Sequence, residues 1–221
     1  MNKRIIEAYV GEYASGKSEN AINRALELNS QGRKVRLVDL DLVNPFYTLR
    51  PIKKELGQKG IEVVAWGRGE ATGLGEAGSL LKPEMKWALH GGGDVVLDIG
   101  YGIEGLKVLN LIEGAAEDKF LKVYVVVNIA RPMTAAVGDI IEYVTSLGEV
   151  DGLINNSHLG TETDREIIHE GAYIVSKVSQ ELGVPVVATA VAKEYAHLVG
   201  KKDPMGNPIK IIDLFMKDAY W

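Results

Sequence analysis

Seven short runs rich in Val and Ile, several nearly continuous in apolar character, recur along this chain at 4–10, 34–39, 61–65, 94–99, 121–128, 150–155 and 185–189. Strands of that kind are buried on both faces and have to be covered on both. Between the runs lie segments with helical periodicity, clearest at 17–31, 50–59, 103–116, 133–147, 162–182 and 191–199. Gly32, Gly60, Gly148 and Gly183 each close a helical segment ahead of a strand, where a glycine cap belongs. The alternation predicts an α/β fold in three layers, with a mostly parallel central sheet of about seven strands and helices on both faces. Ligands of such sheets gather at the carboxyl ends of the strands.

The 221 residues suit one compact domain spanning 1–221. There is no cysteine, which excludes disulfides, thiolate-held metals and thiol catalysis together. A net charge of −5 argues against a general nucleic-acid surface. The first apolar run is too short and interrupted for a signal peptide, and no run approaches the ~20 residues that cross a bilayer. The cytoplasm is the expected location.

The first apolar run leads into GEYASGKS at 11–18, the pattern G-x-x-x-x-G-K-S at a strand-to-helix junction. That context is what a phosphate-binding loop requires. Gly11 and Gly16 let the backbone curl so that the N–H groups of Glu12, Tyr13, Ala14, Ser15 and their neighbours, on into Glu19, face phosphate oxygens. The helix amino terminus adds partial positive charge. Lys17 is expected to reach the β- and γ-phosphates, and the Ser18 hydroxyl to ligate Mg²⁺.

Two further stretches fall at strand ends. Asp39 and Asp41 close the second run, where one acid can serve the metal and the other orient an attacking water; two solvated acids at a strand exit are the plainer alternative. Asp98 closes the fourth run, in the place of a carboxylate that holds Mg²⁺ through water, and Gly100 follows as a residue whose N–H could sense the γ-phosphate. Asp94, ahead of that strand, reads as a turn residue.

With these stretches placed, the chain resembles the CobQ/CobB/MinD/ParA group of P-loop nucleotide-binding proteins. The likeness rests on residues 11–18, on LVDLD at 37–41, on VVLDIG at 95–100 and on GLINNSHLG at 152–160, in matching order over nearly the whole chain. It is nearer still to a bacterial branch with the loop form GxxxSGKS followed by VDLDxVNP. The resemblance implies a Mg²⁺-dependent ATPase with a P-loop NTPase fold, in which Asp41 positions water and Asp39 has a metal-linked role. It departs at Glu12, where MinD and ParA proteins carry a lysine that crosses a dimer to the partner's phosphates. A carboxylate facing phosphates would repel them unless it points away or pairs with an arginine, for which Arg50, Arg68 and Arg131 are the candidates. In related dethiobiotin-synthetase-like folds an asparagine at the edge occupied here by Asn155 and Asn156 reads adenine. An amide offers both the donor and the acceptor for that base; the alternative is that one of the two caps the next turn. Residues 187–191 would form the other wall of the base pocket.

The expected function is therefore an ATP-binding switch ATPase, slow until an unknown protein partner engages it, with a homodimer allowed but not required. The alternative is an ATP-dependent small-molecule kinase or a carboxylate-activating ligase, with its acceptor near the glycine-rich stretch 67–82. A G-x-G-x-x-G match at 73–78 follows no strand directly and carries no weight. His90, His158, His169 and His197 show no ligand spacing. The tail from 208 onward is amphipathic, but Lys210 and Lys217 are balanced by Asp213 and Asp218, so no stable membrane association is expected.

Overall fold

The computed structural model describes residues 3–41, 49–66 and 81–216. Its strands are β1 (Ile6–Gly11), β2 (Val35–Leu40), β3 (Glu62–Val64), β4 (Asp94–Ile99), β5 (Leu121–Val127), β6 (Gly152–Asn155), β7 (Val186–Ala192) and β8 (Ile209–Ile212). They form a single sheet in the order β3-β2-β4-β1-β5-β6-β7-β8, and every neighbouring pair is parallel. The three-layer α/β arrangement is the one that the alternating pattern predicts. The eighth strand extends it. Ile209–Ile212 comes from the amphipathic tail and runs beside β7 from Thr189↔Ile209 to Ala192↔Ile212. As an edge strand it carries an exposed lysine, Lys210, paired with Glu27 at 2.9 Å.

The helices are α1 (Lys17–Ser30), α2 (Lys53–Gln58), α3 (Pro83–Lys86), α4 (Gly102–Lys107), α5 (Val137–Leu147) and α6 (Arg165–Leu182). Along β1 the side chains alternate between layers, as a strand buried on both faces must. Ile6, Ala8 and Val10 join a core with Leu97, Val125, Ile140, Val144 and Val175, beneath α5 and α6. Tyr9 joins a second core with Ile22, Ala25, Leu28, Leu37 and Val96, beneath α1 and α2.

Several helices are shorter than their periodic segments. The stretch 103–116 is helical in α4 and then tightens into a 3₁₀ turn at Val108–Leu111. The stretch 133–147 begins with a 3₁₀ turn at Pro132–Thr134 before α5 starts. In 191–199 the chain stays in β7 to Ala192 and then makes only a 3₁₀ segment, Lys193–Leu198. Asp164 caps α6 by accepting the Ile167 N–H at 2.9 Å.

Asp94 is not a turn residue. It is the first residue of β4 and is buried. It accepts the Ile5 N–H at 2.9 Å and forms an ion pair with Arg33 that also draws in Arg33 Nη2 at 2.7 Å. Arg33 holds the Asp94 carboxyl below its usual range against the desolvation that pushes it up. The pair ties the start of β4 to the turn before β2, at the edge of the sheet remote from the loop at 11–18.

Candidate nucleotide site

At the carboxyl edge, β1 runs directly into the loop and the loop into α1, as the junction in the sequence implies. Its two framing glycines have separate reasons. A Cβ on Gly11 would lie 2.4 Å from the Val126 carbonyl oxygen of β5 and 2.5 Å from Ser15 Oγ. Gly16 has φ of +90°, and a Cβ there would lie 2.1 Å from Asn156 Nδ2. Ala14, between them, also takes positive φ, at 58°. Such left-handed residues within a run turn successive backbone N–H groups inward, the geometry of an anion cradle. Among the described residues the buried Ser15 hydroxyl has no hydrogen-bond partner.

Lys17 opens α1 and is buried. Its ammonium lies 3.4 Å from the Glu12 carbonyl oxygen. Burial pulls its pKa down, while Asp98, Asp41 and Glu12 push it back up. Asp39 and Asp98 are register partners on adjacent strands, Asp39↔Asp98, and Tyr9 of the loop-bearing strand is the partner of Asp98 on its other side. Both acids are buried.

They differ in what they do with their oxygens. Asp39 accepts the Asp41 N–H at 3.2 Å on one oxygen and the Leu49 N–H at 3.0 Å on the other. Desolvation raises its pKa to about 7, with Asp41 adding to the rise and Arg50 opposing it. Asp39 thus organises the exit of β2, where the Arg50 charge is also felt. Among the described residues neither Asp98 oxygen closes a hydrogen bond of ordinary geometry, although both are sealed from solvent. Burial pushes the Asp98 carboxyl well up and Asp39 adds to the rise, with the Lys17 ammonium and the Ser18 hydroxyl pulling the other way. A carboxylate left this way beside a serine and a phosphate loop fits a divalent cation. Mg²⁺ completes its shell with phosphate oxygens and water instead of an all-protein cage. No group of three or more His, Asp or Glu among the described residues could hold a metal alone.

The two asparagines are placed differently. Asn155 is wholly buried: its Nδ2 lies 3.3 Å from Thr189 Oγ1, and its Oδ1 accepts the Ser157 hydroxyl at 2.6 Å. Its amide is bonded within the scaffold. Asn156 donates from Nδ2 to the Ser15 carbonyl at 2.8 Å, fastening the end of β6 to the loop. It also lines a cleft of about 560 Å³ beside the loop. Ala190, Val191 and Ala192 of β7 form a wall of that cleft, the side expected for a base pocket, and Tyr195, Leu214 and Met216 enclose it further. Glu19, one residue past Ser18, accepts backbone N–H groups of Phe215 (2.9 Å) and Met216 (2.7 Å). Glu19 therefore faces the carboxyl-terminal segment instead of the loop, and nothing local in the sequence signals it.

Glu12 is answered from the 3₁₀ turn that follows β5. Its Oε2 accepts the Met133 N–H at 3.1 Å and lies 3.2 Å from the Thr134 hydroxyl. Burial raises its pKa, while those two bonds, Arg131 and Lys17 counter the rise. Asn128 and His158, which the sequence did not single out as partners, join the two neighbouring loops. Asn128 Oδ1 accepts the His158 N–H at 3.2 Å, and its Nδ2 donates to the His158 carbonyl at 3.2 Å. Gly100 leads from β4 towards α4, where the Gly102 N–H donates to the Tyr143 hydroxyl at 3.2 Å. Of the other sequence candidates, Arg68 and nearly all of 67–82 lie outside the described residues.

The His158 imidazole is largely buried, and desolvation, helped by the Arg131 charge, lowers its pKa to about 4. The unfolded chain protonates this group near pH 6.5 and the folded chain only near 4. Stability from this group is therefore intact above pH 6.5 and declines as pH falls through that window. His158→Gln should flatten the acid limb of the urea-unfolding free energy by about 2 kcal/mol between pH 6.5 and 4. An unchanged slope in the variant would show that His158 is not the group responsible.

No protein-family model matches this chain, and no curated protein matches it. Solved structures do. A signal recognition particle receptor FtsY from Elizabethkingia anophelis, in complex with GDP, superposes with a TM-score of 0.58 at 18% identity over 84% of this chain. The cell division protein FtsY of Thermotoga maritima gives 0.56 at 15% identity, again over 84%. The chain has the fold of the P-loop NTPases. It spans 56% and 60% of the lengths of those two proteins, and at these identities the likeness concerns architecture. Among the described residues no helix is long and apolar enough to cross a membrane.

Proposed function

We propose that this protein is a Mg²⁺-dependent nucleoside triphosphatase of the MinD/ParA kind, specific for ATP, that works as a nucleotide-controlled switch for a protein partner. The observation that carries the reading is Asp98, a buried carboxylate with both oxygens unbonded, beside Ser18 and Lys17 at the foot of a phosphate cradle. Burying such a group without compensation costs several kcal/mol, so its retention implies a ligand. In this assignment the loop amides and Lys17 hold the β- and γ-phosphates. Ser18 and Asp98 hold the cation, and Asp39 one strand away adds negative charge to its surroundings. Asp41 orients the attacking water. The Oβ–Pγ bond breaks as the water oxygen bonds to phosphorus, and the water's displaced proton passes by way of Asp41 to solvent.

The choice of adenine rests on Asn156. One of its two Nδ2 hydrogens goes to the Ser15 carbonyl, which can only accept; this fixes the amide and leaves Oδ1 as an acceptor and one N–H as a donor, the pair that the amine and ring nitrogen of adenine match. Adenine presents a donor, its exocyclic amine, at the edge where guanine presents a carbonyl. The GDP of the similar FtsY structure belongs to that protein, and the two readings separate on a direct measurement. Fluorescent ATP and GTP analogues titrated with and without Mg²⁺ should show at least tenfold tighter, Mg²⁺-dependent binding of the adenine nucleotide. Preference for guanine would overturn the base assignment, and absence of all nucleotide binding would overturn the function.

A further inference from the structure

Building on the nucleotide-binding reading, we propose that Arg131 supplies, from the same chain, a second positive charge to the terminal phosphate, and that Glu12 positions it. β5 is the immediate neighbour of β1, with Gly11 opposite Val126, so the segment leaving β5 emerges beside the phosphate loop. That segment turns at once: the Arg131 N–H donates to the Asn128 carbonyl at 3.1 Å, and Pro132–Thr134 forms a 3₁₀ turn. Glu12 clamps the turn by accepting the Met133 N–H and facing the Thr134 hydroxyl, which is also 2.8 Å from the Asn128 carbonyl. The position that holds a lysine in the resembled family thus holds a carboxylate that grips the adjacent loop of its own chain.

What this clamp presents is an arginine without a partner. Among the described residues the Arg131 guanidinium makes no hydrogen bond and no ion pair, and its Nε is sealed from solvent. Its charge is felt at Glu12 on one side and at His158 on the other, which locates it between the phosphate loop and the connection after β6. Glu12 does not neutralise it by direct contact, because Glu12 Oε2 is directed at the 133–134 backbone and hydroxyl. A half-buried guanidinium of this kind calls for an anion. Its planar fork of donors suits two phosphate oxygens at once. During transfer, negative charge spreads over the equatorial and bridging oxygens as the Oβ–Pγ bond lengthens, and a cation placed there acts on the transition state more than on the bound diphosphate. Arg131 is in this sense an internal counterpart of the arginine that other NTPases borrow from a partner.

The test compares Arg131→Ala, Arg131→Lys and Glu12→Ala with the wild type in single-turnover phosphate release, alongside equilibrium binding of ADP and ATP with Mg²⁺. Arg131→Ala should slow release by a hundredfold or more while ADP affinity changes by less than threefold. Millimolar guanidinium should restore part of the lost rate, and Arg131→Lys should recover less than a tenth of it. Glu12→Ala, with the arginine intact, should slow release by about tenfold without weakening ADP. Wild-type turnover in Arg131→Ala would overturn the proposal. So would an equal loss of ADP and ATP affinity with no rescue by guanidinium, which would mark a structural role. Failure of the underlying reading is distinct, because the wild type itself would then bind no nucleotide.

Discussion

Lys17→Ala is expected to lower triphosphate hydrolysis by about three orders of magnitude, the scale on which a single well-placed cation acts in phosphoryl transfer. The side chain is buried at the head of α1, within reach of the Glu12 carbonyl and coupled to three carboxylates. Its burial depresses its own pKa, so the folded chain bears a cost to keep an ammonium there. In the proposed complex, phosphate oxygens supply the partners that offset this cost. Binding of a diphosphate, which lacks the group that gains charge in the reaction, should weaken less than turnover. Rapid-quench measurement of phosphate release, together with titration of fluorescent ADP, separates the two effects. A variant that hydrolyses as fast as the parent would remove Lys17 from the reaction.

Asp98→Asn should produce two effects of opposite sign. The Asp98 carboxyl is buried, without a hydrogen bond of ordinary geometry among the described residues, and raised well above its ordinary range. The unfolded chain gives up this proton near pH 4 while the folded chain retains it, so wild-type stability declines as pH rises above that value. The amide has no charge to desolvate. The variant should therefore be more stable than the parent by about 1–3 kcal/mol at pH 8, with the gap closing towards pH 4. In the presence of Mg²⁺ and ATP the ranking should reverse, because the parent gains cation-dependent stabilisation that the variant cannot obtain. Denaturant unfolding at pH 4 and pH 8, with and without Mg²⁺ and ATP, reads both. Equal stability of the two apo proteins at pH 8, or Mg²⁺-dependent stabilisation of the variant, would contradict this account of Asp98. The pairing of a destabilising apo site with a functional ligand is the usual trade between stability and activity.

The parts of the site that could be read from sequence were those built from local chemistry. The two glycines, Lys17 and Ser18 occupy fixed offsets at one strand-to-helix junction, and only the backbone of that junction is needed to interpret them. The parallel sheet followed from apolar runs buried on both faces, a pattern that does not depend on which strands become neighbours. What could not be read depends on strand order. Asn155 and Asn156 look equivalent as consecutive amides, but the twofold alternation of β6 sends one into the scaffold at Thr189 and turns the other towards Ser15. Asp39 and Asp98 lie 59 positions apart, and only their register across β2 and β4 shows them to be neighbours with different bonding. β8 was hidden because the tail's mixed apolar spacing fits a helix as well as a strand, and pairing with β7 decided between them. Asp94 looked like a turn acid until Arg33, far off in sequence, was brought to it.

The grip of Glu19 on the Phe215 and Met216 amides has a practical side. A fluorophore placed on the 215–216 segment would hang from the first turn of α1, one residue from Ser18, and its signal would report movement of the phosphate loop.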